Sequence, residues 1–95
     1  MKTQQDAYTM ARHQMVDEMI LANGVTSPRV LEAMRRVPRH LFVAKYLRGM
    51  AYEDYTLPLG SGQWMLAPSV VGMMLQALAL RSDDTVLEVG TGGGY

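Results

Sequence analysis

The chain has 95 residues, enough for one small domain or part of a larger one. Hydrophobic residues make up 48% and charged residues 19%, which excludes a disordered polar chain, and nine Lys+Arg against nine Asp+Glu leave no net charge. A strongly basic nucleic-acid module, a polybasic membrane anchor and an acidic tail are thereby set aside, and the lack of cysteine excludes a disulfide framework, a thiol nucleophile and a thiolate metal site.

The apolar runs are too short to span a bilayer, and the opening MKTQQDAYTMARHQ lacks the apolar stretch of a secretory signal, so a cytoplasmic location with no membrane partner is expected. Ordering a residue costs about 1.5 kcal/mol, so a chain this short must bury nearly all its apolar surface to break even. Nine methionines fill irregular space but specify a packed core poorly, and marginal stability is the expectation. Neither an internal repeat nor a heptad run is present.

The first periodic segment runs from Tyr8 to Asn23, with Met15, Val16, Met19 and Ile20 on one helical face and His13, Gln14, Asp17 and Glu18 on the other. Gly24 stands where a helix C-cap belongs. Thr26-Ser27-Pro28 then reads as a cap followed by proline at the first helical position. The second helix carries Val30, Leu31, Met34 and Val37 on one face, pairs Glu32 with Arg35 or Arg36 on the other, and ends at Pro38.

Arg39 to Met50 predicts a short helix or two turns. In Ala51 to Gly62 the alternation of Tyr55, Leu57 and Leu59, with Pro58 between and Gly60-Ser61-Gly62 after, predicts an extended segment leading into a loop. Pro68 opens the clearest helix, whose stripe of Val70, Val71, Met74, Leu75, Leu78 and Ala79 is wide and apolar and extends to Leu80. Arg81 to Asp84 is a polar turn, Thr85 to Val89 a β-prone run, and Gly90-Thr91-Gly92-Gly93-Gly94-Tyr95 a glycine loop. The organisation is one partial domain: residues 1–50 helical, 51–67 an extended substrate-side element, and 68–95 a helix, a first strand and a glycine-rich cofactor loop.

A strand running into glycines marks a nucleotide-type site in an open α/β sheet, because ligands sit beyond the carboxyl ends of parallel strands and glycine lets backbone approach them. A Walker-type phosphate loop fails, since Gly-Lys-Ser/Thr is absent. The dinucleotide fingerprint fails too, since its third small residue would fall on Tyr95. Gly90-x-Gly92-x-Gly94 remains, preceded by Glu88 in an apolar strand. That arrangement, VLEVGTGGGY, resembles motif I of class I S-adenosylmethionine-dependent methyltransferases, against the plain alternative of a glycine-rich turn.

Three upstream segments sharpen the resemblance: RVLEAMRRVPRHLFV, AYEDYTLPLGSGQ and the proline-initiated helix. In this order, with VLEVGTGGGY, they resemble the protein-L-isoaspartate O-methyltransferase family. The resemblance implies an α/β, Rossmann-like domain of which this chain supplies the helical N-terminal segment and the first strand, Thr85 to Val89. It implies S-adenosylmethionine as cofactor, no metal, and a protein or peptide partner carrying a carboxylate such as L-isoaspartate. By the same resemblance Glu88, Gly90, Thr91 and Gly92 would bind the cofactor, with Glu88 bracing the loop.

The family continues Gly-x-Gly-Gln with Thr-Ile-Ser, one further residue and proline. Here Trp64 takes the threonine position and Leu66 the position of the active-site serine, and neither keeps the hydroxyl. A site built to bind a carboxylate through such donors loses them, so ordinary isoaspartyl repair is not expected to carry over unchanged, and a divergent acceptor is an alternative. Gln63 is a candidate to orient the substrate or to hold a loop backbone. Trp64 is a candidate to stack on a ligand or to fill the crevice of the altered loop.

Elsewhere, His13 and His40 have no ligand-spaced partner and read as surface or edge residues, and Glu53-Asp54 and Asp83-Asp84 as solvated turn charges. Tyr8, Tyr46, Tyr52 and Tyr55 read as packing residues with wet hydroxyls. The glycine motif is expected to continue into a helix and an acid-bearing strand beyond Tyr95, so these 95 residues alone should not hold the cofactor tightly. The other class of reading is a non-catalytic helical interaction module, or self-association, through the face of residues 70–79.

Overall fold

The computed structural model describes residues 3–79 and 94–95; the expected strand Thr85 to Val89 and the turn Arg81 to Asp84 lie outside the described residues. Helix α1 (Gln4–Met15) begins earlier than its apolar period, because Thr3 and Asp6 form a reciprocal capping box. Thr3 Oγ1 accepts from the Asp6 N–H at 3.2 Å, and Asp6 Oδ2 accepts from the Thr3 N–H at 3.1 Å.

The helical path continues past Met15 with a changed pitch, through a π-type turn at Val16–Ile20 and a 3-10 turn at Leu21–Asn23. Met15, Val16 and Ile20 are all buried there, a cluster broader than a regular α-helical seam would supply. Asn23 Nδ2 donates to the Met19 carbonyl at 2.7 Å, satisfying one of the acceptors at the helix end. Gly24, at φ +89°, supplies the left-handed turn that ends the segment, as its position predicts.

Helix α2 (Pro28–Arg36) has proline in its first turn as expected, but Ser27 makes no side-chain cap. The turn before it is held from a distance by Gln76. Its Oε1 accepts from the Thr26 and Ser27 N–H groups at 2.7 and 2.8 Å, and its Nε2 donates to the Gly24 carbonyl at 3.0 Å. Gln76→Leu is therefore expected to lower stability by about 1–2 kcal/mol, read as an unchanged denaturant slope with a lower midpoint. Leu31 and Met34 are buried on α2, while Arg36 pairs with Glu32 at 2.7 Å on its exposed side.

Arg39 to Met50 forms two 3-10 turns, Arg39–Phe42 and Lys45–Met50. The following extended segment is half of a hairpin whose second strand is not evident from the sequence. Strand β1 (Leu57–Gly60) pairs antiparallel with β2 (Gln63–Met65), with Leu57 opposite Met65 and Pro58 opposite Trp64. Leu57 and Met65 both face the core at 2% and 5% exposure, which fixes the register.

Helix α3 (Pro68–Leu78) starts at its proline as predicted, and its apolar stripe is turned largely outward. Val70, Met73, Met74 and Leu78 are exposed, and Ala79 with them, while Val71 and Leu75 are half-buried. The buried side is Ser69 and Gly72, where lack of a side chain lets the helix approach Ile20, Val25 and Met34. Hydrophobic periodicity finds the larger apolar face, and here close approach through glycine decides the inner one. The core joins Met15, Val16, Ile20, Val25, Leu31, Met34, Val43, Leu47, Ala51, Tyr52, Leu57 and Met65. No described helix is long and apolar enough to cross a membrane.

Candidate active site

Strand β2 and the short loop from it to α3 carry the predicted substrate-side residues. Gln63 and Trp64 lie on β2 with exposed side chains, Trp64 at 61%, so the indole fills no crevice among the described residues. Leu66 follows, half out of the surface at 44% exposure, while its backbone carbonyl accepts from Arg39 Nη2 at 2.9 Å. The position thus presents a side chain outward on a tethered backbone. A hydroxyl there would face outward, whereas leucine presents only methyl groups.

The next residues are fixed from a second side. Ser69 N–H and Oγ donate to the two carboxylate oxygens of Asp54, at 3.0 and 2.8 Å. Asp54, read from sequence as a solvated turn charge, instead caps the first turn of α3, favoured also by the positive end of the helix dipole. Nothing local signals this, because the cap comes from fifteen residues upstream.

Of the predicted cofactor residues, Glu88, Gly90, Thr91 and Gly92 lie outside the described residues, as does Asp83-Asp84. The end of their motif is described. Gly94 has φ +84°, a conformation that favours glycine. Tyr95 packs edge-on against Phe42 with ring centroids 5.8 Å apart, and the Arg39 guanidinium lies over its ring at 4.9 Å. The glycine motif therefore returns to the turn whose arginine also holds Leu66.

Arg39 is the residue that sequence reasoning misses. It is fully buried, with Nε donating to the Ala51 carbonyl at 2.7 Å and Nη2 to the Tyr55 carbonyl at 3.3 Å as well as to Leu66. Burial pulls its pKa below the ordinary arginine value, against the opposing pull of Tyr95. Burial likewise raises the Tyr95 phenol, with Arg39 opposing. The only signal in the sequence is a cation directly after Pro38, shortly ahead of the apolar Leu41, Phe42 and Val43.

His40, expected at the surface or an edge, is buried. Its ring stacks on Tyr8 at 4.0 Å, and its Nδ1 lies 2.8 Å from the Tyr52 hydroxyl. Arg12 Nη1 donates to that hydroxyl at 3.3 Å, which leaves the phenolic proton to point at Nδ1. Tyr52 is buried, so its hydroxyl is bonded rather than wet, whereas Tyr46, at 80% exposure, packs on little. Tyr55 is exposed and His13 lies on the surface as expected.

The His40 pKa is lowered by burial, then by Arg12 and Arg48. An unfolded histidine titrates near pH 6.5, so on acidification the unfolded chain takes this proton first. The stability contributed by neutral His40 is full above about pH 6.5 and is lost as pH falls below it. Chemical denaturation at about pH 7.5 and about pH 5 should show that loss, and His40→Gln should reduce the pH slope. An unchanged slope in the variant would remove His40 as its source.

A cleft of about 370 Å³ opens between α1 and the Lys45–Met50 turn, lined by Tyr8, Gln14, Glu18, Arg48, Tyr52 and Glu53 among others. None of Gln63, Trp64 and Leu66 lines it. Among the described residues no group of three or more His, Asp or Glu side chains is placed to hold a metal ion.

These features describe a helical layer that braces the short loop at Leu66 and receives the end of a glycine-rich motif. Residues 10–95 match the family described as Protein-L-isoaspartate(D-aspartate) O-methyltransferase (PCMT), and the chain belongs to that family. A Protein-L-isoaspartate O-methyltransferase of Aeropyrum pernix is 57% identical over 90 residues, which cover 95% of this chain and 35% of that protein. One from Methanoculleus marisnigri is 52% identical over 84 residues, covering 88% of this chain and 38% of that protein. One from a Synechococcus species is 48% identical over 90 residues, covering 95% and 37%. The chain thus spans well under half the length of these relatives.

Proposed function

We propose that the chain is the N-terminal part of an S-adenosylmethionine-dependent carboxyl O-methyltransferase acting on L-isoaspartyl groups of proteins or peptides, within a Rossmann-like domain. The observation that carries this reading is the family match over residues 10–95, which takes in both the acceptor-side loop and the glycine motif. The fit of the cofactor is supported by the left-handed Gly94 and by the preceding sequence with Glu88 and Gly90-Thr91-Gly92. S-adenosylmethionine supplies a sulfonium methyl group that is already electrophilic, so no metal is required.

The chain's own residues supply orientation. Gln63 and Trp64, both exposed and successive on β2, offer a peptide an amide and a flat apolar face. Leu66 withdraws the hydroxyl donor of the family, so methyl transfer to isoaspartate proceeds by alignment with weaker stabilisation of the carboxylate. Calorimetric titration of S-adenosylhomocysteine into the full-length protein carrying this chain tests the cofactor. Saturable one-site binding is expected, and no heat of binding would sink the reading.

The exposed apolar face of Val70, Met73, Met74 and Leu78 favours a second behaviour for the 95 residues expressed alone. Two copies would then pair through that face, as large exposed apolar patches do. Light scattering distinguishes the cases: a dimer of the short chain beside a monomer of the longer protein makes self-association a property of the piece. A dimer through this face in both would favour the interaction-module reading.

A further inference from the structure

We propose that Arg39 is a positioning residue that sets the acceptor-side loop at Leu66 against the glycine motif at Tyr95. This rests on the methyltransferase reading above. The geometry is that of one rigid fork touching four segments. Nε holds the Ala51 carbonyl at 2.7 Å, Nη2 holds the Tyr55 and Leu66 carbonyls at 3.3 and 2.9 Å, and Cζ lies 4.9 Å from the centre of the Tyr95 ring.

A buried guanidinium is a costly way to fill space, because its charge is desolvated and its hydrogen-bond partners here are neutral carbonyls. A leucine or methionine would fill the same volume without that cost. What only the planar fork does is to hold the strand entrance, the acceptor loop and an aromatic ring in fixed mutual positions. Tyr95 closes the motif proposed to hold the methyl donor, and Leu66 stands where the acceptor is proposed to bind. A shift of either against the other changes the distance over which the methyl group passes, and misplacement of about 1 Å costs on the order of a hundredfold in rate. Buried Nη1 has no hydrogen-bond partner among the described residues, so the arginine is held for the bonds on its other nitrogens and for the ring.

The test compares Arg39→Lys, Tyr95→Leu, Tyr95→Phe and the double variant Arg39→Lys/Tyr95→Leu in the full-length protein. Three readouts are taken: turnover on an L-isoaspartyl peptide, S-adenosylhomocysteine affinity, and thermal midpoint. Lysine keeps the charge but reaches as a single point, so Arg39→Lys should lower kcat about tenfold or more while S-adenosylhomocysteine affinity changes less than about threefold. Tyr95→Leu should do the same, Tyr95→Phe should recover most of that loss, and the double variant should be little worse than either single one.

Losses that multiply in the double variant, losses that follow cofactor affinity or thermal midpoint in step, or no loss at all would each overturn the proposal. If Arg39→Lys does not fold, the Tyr95→Leu and Tyr95→Phe pair decides: equal activity in the two overturns it. A wild-type protein that neither binds S-adenosylhomocysteine nor transfers methyl fails the methyltransferase reading itself, and this inference with it. An active wild type with indifferent variants fails this inference alone.

Discussion

Gly72→Val is expected to destabilise the protein by about 2–3 kcal/mol, because the added side chain has no room on the inner face of α3. A Cβ at Gly72 would already stand 3.2 Å from Ile20 Cγ2, 3.2 Å from Met34 Sδ and 3.3 Å from Val25 Cγ2. Met34 is flexible and can yield. Ile20 and Val25 are β-branched, fully buried and carried on separate segments, so relief requires moving α3 off the helical layer. Valine adds two further methyl groups to that space. Alanine should be nearly tolerated, because its better helix propensity, worth about 1 kcal/mol over glycine, offsets part of the crowding. Measured on the 95 residues alone, the valine loss corresponds to a fall of about 10–20 °C in thermal midpoint. A variant melting with the wild type would show that α3 does not approach the core through Gly72.

Leu66→Ser is expected to raise kcat/KM on an L-isoaspartyl peptide by about tenfold to a hundredfold. The side chain is largely outside the core and its carbonyl bond to Arg39 does not depend on side-chain identity, so the fold should be indifferent to the change. The restored hydroxyl gives the carboxylate a donor at the position the family uses for one. A hydrogen bond to a charged group contributes about 1.5–3 kcal/mol, and each ~1.4 kcal/mol realised in the transition state is a factor of ten. Trp64→Thr in addition should add a smaller gain if the exposed indole blocks the approach, and should weaken peptide binding if it stacks on the ligand. A Leu66→Ser protein with unchanged or lower turnover would mean that this loop has been recast for another acceptor.

The parts of the fold that are legible in the sequence are those fixed by neighbours in the chain. Gly24 ends the first helical run, Pro28 and Pro68 open helices, and Pro38 closes α2, each through a backbone preference that acts within a turn. What the sequence does not carry locally is set by contacts between distant segments. The second strand of the hairpin is only three residues long, and Leu57 opposite Met65 defines it more than any propensity does. Asp54 caps a helix that begins fourteen positions later, and Gln76 holds a turn fifty residues earlier. Both look like ordinary exposed polar residues until the chain is folded.

The same division runs through the candidate site. The family pattern singles out Gln63, Trp64, Leu66 and the glycines, and the first three are each exposed, on β2 and just after it. It does not single out Arg39, because a cation next to an apolar stretch ordinarily reaches for solvent. Burial against carbonyls from Ala51, Tyr55 and Leu66 becomes apparent only when those segments converge. His40 is misplaced for a related reason: the stacking of Tyr8 and the bond from Tyr52 come from opposite sides in sequence.

The proposed carboxyl methyl transfer to isoaspartate, weakened by leucine at position 66, is the activity on which the Leu66 and Arg39 expectations depend. It is measured most directly as transfer of a radiolabelled methyl group from S-adenosylmethionine to an L-isoaspartyl peptide and to its aspartyl twin, by the full-length protein and its Leu66→Ser variant. Base-labile label is expected on the isoaspartyl peptide alone, weak in the wild type and stronger in the variant. Equal label on both peptides, or none from either protein, would contradict that reading.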